Sequence, residues 1–295
     1  TTSEIHTAVK ICQNYDAAVI HVRDASKAVG VVANLLSVSQ KEKFLSSVDK
    51  KYKELKDNHL RKISSKKYIS ISEANKNGLK LEFKNNIKKP IVLGTKVIKS
   101  YSIEEISKYI DWTYFFHAWK ITGKYPAIFN DSEKGEEAKK LFDDAQAFIA
   151  EIISKKMLEA RAVVGLFPAN SSGNNIEVYE NENVRKTIAN FAFLRNQELK
   201  SDGQPNLCLS DFISPSGENQ DYIGFFALTT GIGIEKWIKH FEGEGDDYNV
   251  LMLKILADRL AEAFAEFLHE KVRKEFWGYS KNENFEMEDL QREKY

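Results

Sequence analysis

The chain has 295 residues, 43 basic against 43 acidic side chains and 42% hydrophobic residues, enough for one large domain or two smaller ones with their own cores. The balanced charge argues against a general nucleic-acid binder, and two distant cysteines, Cys12 and Cys208, exclude a disulfide framework or a cysteine zinc site. With no apolar run near the roughly 20 residues that span a bilayer and no signal peptide at the start, no membrane partner is expected and the expected compartment is the cytoplasm.

In chain order, the opening "TTSEIHTAVKICQNY" begins without Met or a cap, so a fragment of a longer protein is expected. Residues 17–38 read as strand, tight turn and helix. Ala17 to Val22 is a short β-branched run, and Asp24 and Ser26 are cap-type residues. An apolar helical pattern follows through Val29, Val32, Leu35 and Leu36. One βα unit cannot bury its own faces, so the rest of its sheet is expected upstream. Residues 40–99 are lysine-rich. Phe44, Val48, Tyr52 and Leu55, spaced by three and four, predict an amphipathic helix followed by an extended linker. Its lysines fit a solvated face, a nucleic-acid patch or a surface for an acidic protein, the first being the plainest reading.

From about residue 100 the pattern is that of one α+β domain. Ser102 and Glu105 fit a capping box at the head of a helix. Residues 136–156 form a second amphipathic pattern, and "RAVVGLFPA" and "IEVYE" read as strands about a turn at Gly173. "VRKTIANFAFLRNQ" (184–197) is read as a helix and "DYIGFFALTTG" as a buried strand ending at Gly231. The longest helix is predicted from Tyr248 to Phe276, with the stripe Leu253, Leu256, Leu260, Phe264, Phe267, Leu268 and Val272. No internal repeat is evident.

Residues that could carry chemistry are few. There is no GxSxG elbow, and "GIGIE" (231–235) lacks the spacing and lysine of a phosphate loop, so it reads as a strand-end turn. Glu266 and His269 make one E-x-x-H, where a di-metal site needs two and further carboxylates. No metal site is expected. Asp258, Glu262 and Glu266 recur every four residues on the long helix. Such carboxylates repel unless cations intervene, which leaves two readings: a surface salt-bridged by Arg259 and Arg273, or a wall facing a cationic ligand or a histidine from another domain. Asp111 heads a run containing Trp112, Tyr114, Phe115, Phe116 and Trp119. It can cap the helix that starts at Trp112, or sit in an aromatic pocket that holds a cation.

"IDWTYFFHAWKITGKYP", "VVGLFPAN", "DYIGFFALTTG" and "DDYNVLMLKILADRLAEAFAEFLHEKVRKEFWGY" closely resemble the C-terminal reactivation domain of cobalamin-dependent methionine synthase. "TTSEIHTAVKICQNY" and "DASKAVGVVANLLS" resemble the end of that family's cobalamin-binding domain. The likeness spans nearly the whole chain in the family's order and is loose only over about 40–99. It implies an α+β reactivation domain, with an antiparallel sheet and long helices, preceded by the last βα unit of an α/β cobalamin-binding domain. The implied boundaries are 1–60 for the end of the cobalamin domain with a linker helix, and 61–295 for a truncated S-adenosylmethionine-binding domain.

The function implied is that of a fragment of a methyltransferase which moves methyl from methyltetrahydrofolate to homocysteine through cobalamin. This region would bind S-adenosylmethionine and support reductive remethylation of inactive cob(II)alamin. The implied partners are the cobalamin domain of the same protein and a flavodoxin or flavodoxin-reductase-type electron donor, with the protein a monomer. Zinc is implied only in a homocysteine domain outside the chain. By resemblance, Asp111, Glu262 and Glu293 match S-adenosylmethionine-binding residues, and Ala25 matches a small residue against the cobalamin nucleotide tail. Asp258, on the same face as Glu262, could meet the cobalamin domain.

Three family features are missing: the Asp-x-His-x-x-Gly of the cobalt ligand, the glycines expected just before Thr1, and the Arg-Pro-x-Pro-Gly-Tyr-Pro ligand segment expected just after Tyr295. The chain alone is therefore expected to be catalytically inert and to bind S-adenosylmethionine weakly or not at all. The competing reading is a stand-alone, non-enzymatic reactivator that docks on a separate corrinoid protein.

Overall fold

The structure, a computed structural model, describes residues 2–22, 25–64, 66–84, 86–183 and 185–285, without the side chains of 25–27 and 62–64. Asp24 and Glu293 lie outside the described residues. The chain divides into two compact units: Thr1–Leu79 with Arg195–Leu207, and Lys80–Leu194 with Cys208–Tyr295.

The first unit is helical. Helix α1 (Glu4–His6), capped by Ser3, runs into a π-helical turn at Thr7–Ile11. Helices α2 (Ala25–Leu36) and α3 (Lys41–Ser64) follow where the apolar spacing predicts them. Tyr52, one of the predicted apolar positions on α3, is buried, and its hydroxyl accepts the backbone N–H of His21 at 2.7 Å. The expected strand over Ala17–Val22 is not formed. None of the described residues offers it a ladder, and a β-branched run without a neighbouring strand has no hydrogen bonds to hold it extended.

The expected extended linker instead holds helix α4 (Ile71–Lys76). Ser70 Oγ accepts from Glu73 N–H, and the Glu73 carboxylate accepts from Ser70 N–H at 2.9 Å. This is the Ser-x-x-Glu box. Residues 195–207 are bound to the same region. Arg195 donates to Asn75 Oδ1 at 2.8 Å and to the Asn206 carbonyl at 2.7 Å. The fully buried Asn206 amide donates to the carbonyls of Asn196 and Glu198, both at 2.9 Å.

The second unit is built on a curled antiparallel sheet of β1 (Gly94–Tyr101), β2 (Glu159–Ser172), β3 (Asn175–Tyr179), β4 (Thr187–Ala192) and β5 (Asp221–Ile232). Strand β2 is the spine. β5 runs along one edge from Glu159↔Ile232 to Ala169↔Asp221. β1 and then β3 take successive stretches of the other edge. The hairpin between β2 and β3 turns at Gly173, whose φ of +62° suits glycine.

On β2, Ala160, Ala162, Val164 and Leu166 point to one face, which is covered by helices. These are α5 (Ile103–Ser107), α6 (Trp112–Ala118), α7 (Gly135–Ser154), α8 (Ile234–Glu244) and α9 (Asp247–Lys271). Helix α9 is the centre of this layer. Leu253, Leu256, Leu260, Phe264 and Leu268 are all fully buried, as their spacing predicts. Its last turn, Val272–Phe276, is π-helical.

Two expectations are corrected here. Residues 184–197 do not form a helix: Thr187–Ala192 is strand β4, paired with β3 from Asn175↔Ala192 to Tyr179↔Thr187. Ile188, Phe191 and Leu194 imitate a helical stripe in spacing, but all three are substantially exposed, so there was no helix face to bury. Strand β5 forms, yet most of it is exposed or half-buried. The strand-end turn read at "GIGIE" is present, β5 stopping at Ile232. Gly233, at φ +95°, leads directly into α8.

Candidate functional site

The run that begins at Asp111 is where sequence and chemistry meet most closely. Asp111 is the N-cap of α6, half-buried, and its Oδ1 accepts the Thr113 backbone N–H at 2.8 Å. A side-chain oxygen in this place satisfies one of the donors left over at a helix start. Thr113 in turn accepts the Tyr125 N–H on its Oγ1 at 3.2 Å, which ties the following loop to the cap. The cap reading of Asp111 is thus realised. Its Oδ2 makes no hydrogen bond among the described residues.

The neighbouring aromatic side chains mostly pack on one another. Phe115 and Phe116 are fully buried. Trp112 meets Phe115 at 5.2 Å and Phe142 at 4.6 Å, edge to face, and Tyr125 stacks on Phe142 at 5.6 Å. Trp119 packs on Tyr248 at 5.4 Å, whose hydroxyl donates to Asp144 at 3.0 Å. Such contacts stabilise a core by about 0.5–1.5 kcal/mol each beyond area burial. Of the run, Tyr114 stands out, at 57% exposed.

Glu262 lies on α9, the helix against which α6 packs. Both its oxygens meet the Arg259 guanidinium, at 2.7 and 2.9 Å, while Asp258 takes a third bond from Arg259 at 2.6 Å. Arg259 is 12% exposed; burial disfavours its charge, but Asp258 and Glu262 outweigh that and raise its pKa. The salt-bridged reading of this stripe therefore holds for Asp258 and Glu262 through Arg259, but not through Arg273, which is buried and pairs with Glu283 instead. Glu262 nonetheless keeps 61% of its side chain exposed, so it can still reach a ligand.

Ala25 is the first residue of α2, and its side chain is outside the described residues. It belongs to the first unit, while Asp111 and Glu262 belong to the second. Glu293, also a candidate, lies outside the described residues. The structure thus places Asp111 and Glu262 on neighbouring elements of one unit.

Sequence reasoning missed a half-buried polar chain on the same helix layer. Tyr109 donates to Glu270 at 2.7 Å, and Glu270 pairs with Lys274 at 2.5 Å. Burial, then the Glu270 carboxylate, push the Tyr109 hydroxyl far up. Tyr101, which packs on Phe267 at 4.9 Å, is pushed up to about 12 by burial and by the Glu105 carboxylate. Glu105 thus serves Tyr101, and the predicted cap of α5 is carried by Ser102 Oγ alone. The i, i+4 spacing of Glu270 and Lys274 was legible; Tyr109, 161 residues from Glu270, was not. Among the described residues no group of three or more His, Cys, Asp and Glu side chains could hold a metal ion, and no helix is long and apolar enough to cross a membrane.

Comparison with known proteins gives this arrangement its context. The family described as "Vitamin B12 dependent methionine synthase, activation domain" matches residues 102–295. That range takes in Asp111, Glu262 and most of the second unit. A crystal structure of the MetH reactivation domain bound to AdoHcy is similar at 44% sequence identity and a TM-score of 0.74. The likeness covers 77% of this chain and 70% of that one. The family match covers about two thirds of the chain, and the chain belongs to the activation-domain family of vitamin B12-dependent methionine synthase.

Proposed function

We propose that the chain is the part of a methionine synthase that binds S-adenosylmethionine and supports reductive remethylation of inactive cob(II)alamin, the electron coming from a flavodoxin or flavodoxin-reductase-type donor. The observation that carries this reading is the 44% identity to a reactivation domain bound to AdoHcy, the demethylated form of the same ligand. The sulfonium of S-adenosylmethionine supplies the methyl group. This chain's own residues bind and orient.

Asp111 is suited to that task. Its Oδ1 is fixed by the Thr113 N–H, so the carboxylate is held in one orientation, and its Oδ2 remains to accept from the ligand ammonium. Glu262, carried on α9 and oriented by Arg259, offers a second carboxylate toward the same cationic ligand. Glu293 would add a third, next to the Arg-Pro-x-Pro-Gly-Tyr-Pro segment of the longer protein. Ala25, at the head of α2, would let the backbone approach the cobalamin tail closely. The chain holds no histidine in an Asp-x-His-x-x-Gly setting, so no cobalt chemistry is assigned to its residues. The other partner is the cobalamin domain of the same protein, a cytoplasmic monomer, with zinc confined to a separate homocysteine domain.

The test is titration calorimetry with S-adenosylmethionine on two proteins: this chain, and the chain extended through the Arg-Pro-x-Pro-Gly-Tyr-Pro segment. Binding is expected only in the extended protein. Asp111→Asn there should weaken it by about 3 kcal/mol if the ammonium pair is desolvated. Equal affinity in Asp111→Asn and the parent would remove Asp111 from the site.

A further inference from the structure

In the second unit a cavity of about 640 Å³ lies between residues 81–83 and 86–88, the start of β5 and the residues after α9. It shares no residue with Asp111, Glu262 or Ala25. Phe83, Phe212, Trp277 and Tyr279 supply aromatic surface to its lining. The walls are tied together. Trp277 Nε1 donates to the Lys88 carbonyl at 2.7 Å, Lys88 Nζ donates to the Tyr279 carbonyl at 3.1 Å, and Val92 N–H donates to the Phe276 carbonyl at 3.0 Å.

Two acidic residues are among those that line the same space, the exposed Glu82 and the buried Asp221. Asp221 is 8% exposed and accepts the backbone N–H groups of Ser214 at 2.9 Å and Tyr222 at 2.8 Å. Those bonds fix the carboxylate but leave its charge uncompensated: among the described residues Asp221 has no ion pair. Burial pushes its carboxyl up, more than the two N–H groups pull it down. Of the nearby cations, Lys88 is on the cavity wall itself, its ammonium held by the Tyr279 carbonyl and without a perturbing effect on Asp221, and Lys89 pairs with Glu182 at 2.5 Å. A buried carboxylate without a counter-charge is costly. Set beside aromatic faces, which attract cations, it defines a site for positive charge with an apolar body.

We propose that this cavity binds a small organic cation, an alkylammonium or guanidinium group, with its charge against Asp221 and Glu82 and its carbon atoms against Phe83, Phe212 and Trp277. The site is separate from the one argued above, and its failure would leave that reading untouched.

The probe is butylammonium, with 1-butanol as its neutral counterpart, followed on the indole N–H resonance of Trp277 in the full chain. The resonance is identified by its loss in Trp277→Phe. Butylammonium should shift it saturably, and 1-butanol should bind about tenfold more weakly. Phe212→Ala, at a side chain that is 51% exposed, should weaken butylammonium about threefold or more without changing the melting temperature. Asp221→Asn should abolish the preference for the cation, whereas Asp111→Asn should leave it unchanged. Equal binding of the amine and the alcohol, no saturable shift, or indifference to Phe212→Ala would each overturn the proposal.

Discussion

Arg273 and Glu283 face each other as a two-pronged ion pair, Nε to Oε2 at 2.9 Å and Nη2 to Oε1 at 2.8 Å, with side chains only 1% and 2% exposed. Arg273 sits in the π-helical end of α9, and Ser280 N–H donates to its carbonyl at 3.1 Å. The chain that leaves the long helix is thereby folded back on it. Breaking a buried pair strands one charge, whereas replacing both partners with apolar groups need not be costly. Glu283→Ala is expected to lose about 3–5 kcal/mol of stability. The double replacement Arg273→Met with Glu283→Leu should recover most of that loss, as measured by urea unfolding. A single mutant as stable as its parent would mean the pair contributes nothing.

The same pair sets a pH dependence. Burial raises the Glu283 carboxyl, but the Arg273 hydrogen bonds and charge outweigh it, and the group ends below its ordinary value. A depressed carboxyl stabilises the folded chain above the unfolded value of about 4.3 and loses that contribution as pH falls through the folded one. The stability gap between the parent and Glu283→Gln should therefore be constant near neutrality and close below about pH 4. A gap that persisted to the lowest pH at which the parent stays folded would contradict this.

Asp111 has a structural role that can be separated from ligand binding. Asn and Asp are comparable caps, whereas Ala is not. Asp111→Ala should cost about 1 kcal/mol of stability, and Asp111→Asn should be nearly neutral to thermal unfolding. If Asp111→Asn destabilised as much as Asp111→Ala, the negative charge rather than the cap bond to Thr113 would be holding α6.

Gly278 lies just beyond α9 at φ +77°, and an added Cβ would run into the Ile91 side chain. Both the backbone and the space favour glycine here. Gly278→Ala should lower stability by about 1–3 kcal/mol, and pairing it with Ile91→Ala should relieve the steric part. Thermal melts of the two single mutants and the double would show whether their effects couple.

Much of the second unit was legible because its signals are local and repeated. The seven-residue stripe on α9 left one face to bury, and the structure buries it. The Ser102 cap and the Gly173 turn each depend on a few adjacent residues. The misreadings share a different cause. Strand β4 is decided by its ladder to β3, so spacing within 184–197 could not reveal it. Ala17–Val22 lacks such a ladder, so β-branched residues alone did not make it a strand. Helix α4 was readable from Ser70 and Glu73 but was hidden by the lysines around it. At the candidate site, cap and ligand roles for Asp111 rest on the same residue types, and only the Thr113 bond distinguishes the first. Arg259's grip on both Asp258 and Glu262 follows from helical spacing, whereas Asp221 shares its cavity with residues far away in sequence, such as Phe83 and Trp277.

The first unit has an order of assembly written into it. Asn77 donates to Asn206 Oδ1 at 2.7 Å across 129 residues of sequence, and Arg195 reaches Asn75 across 120. On a ribosome that adds about 5–20 residues per second, the helices before Leu79 emerge roughly ten seconds before the segment that completes them. Until Leu207 has been made, the amide of Asn77 and the carbonyl oxygen of Asn75's side chain must be satisfied by water. The first part of the chain to be synthesised is therefore not the first to be finished.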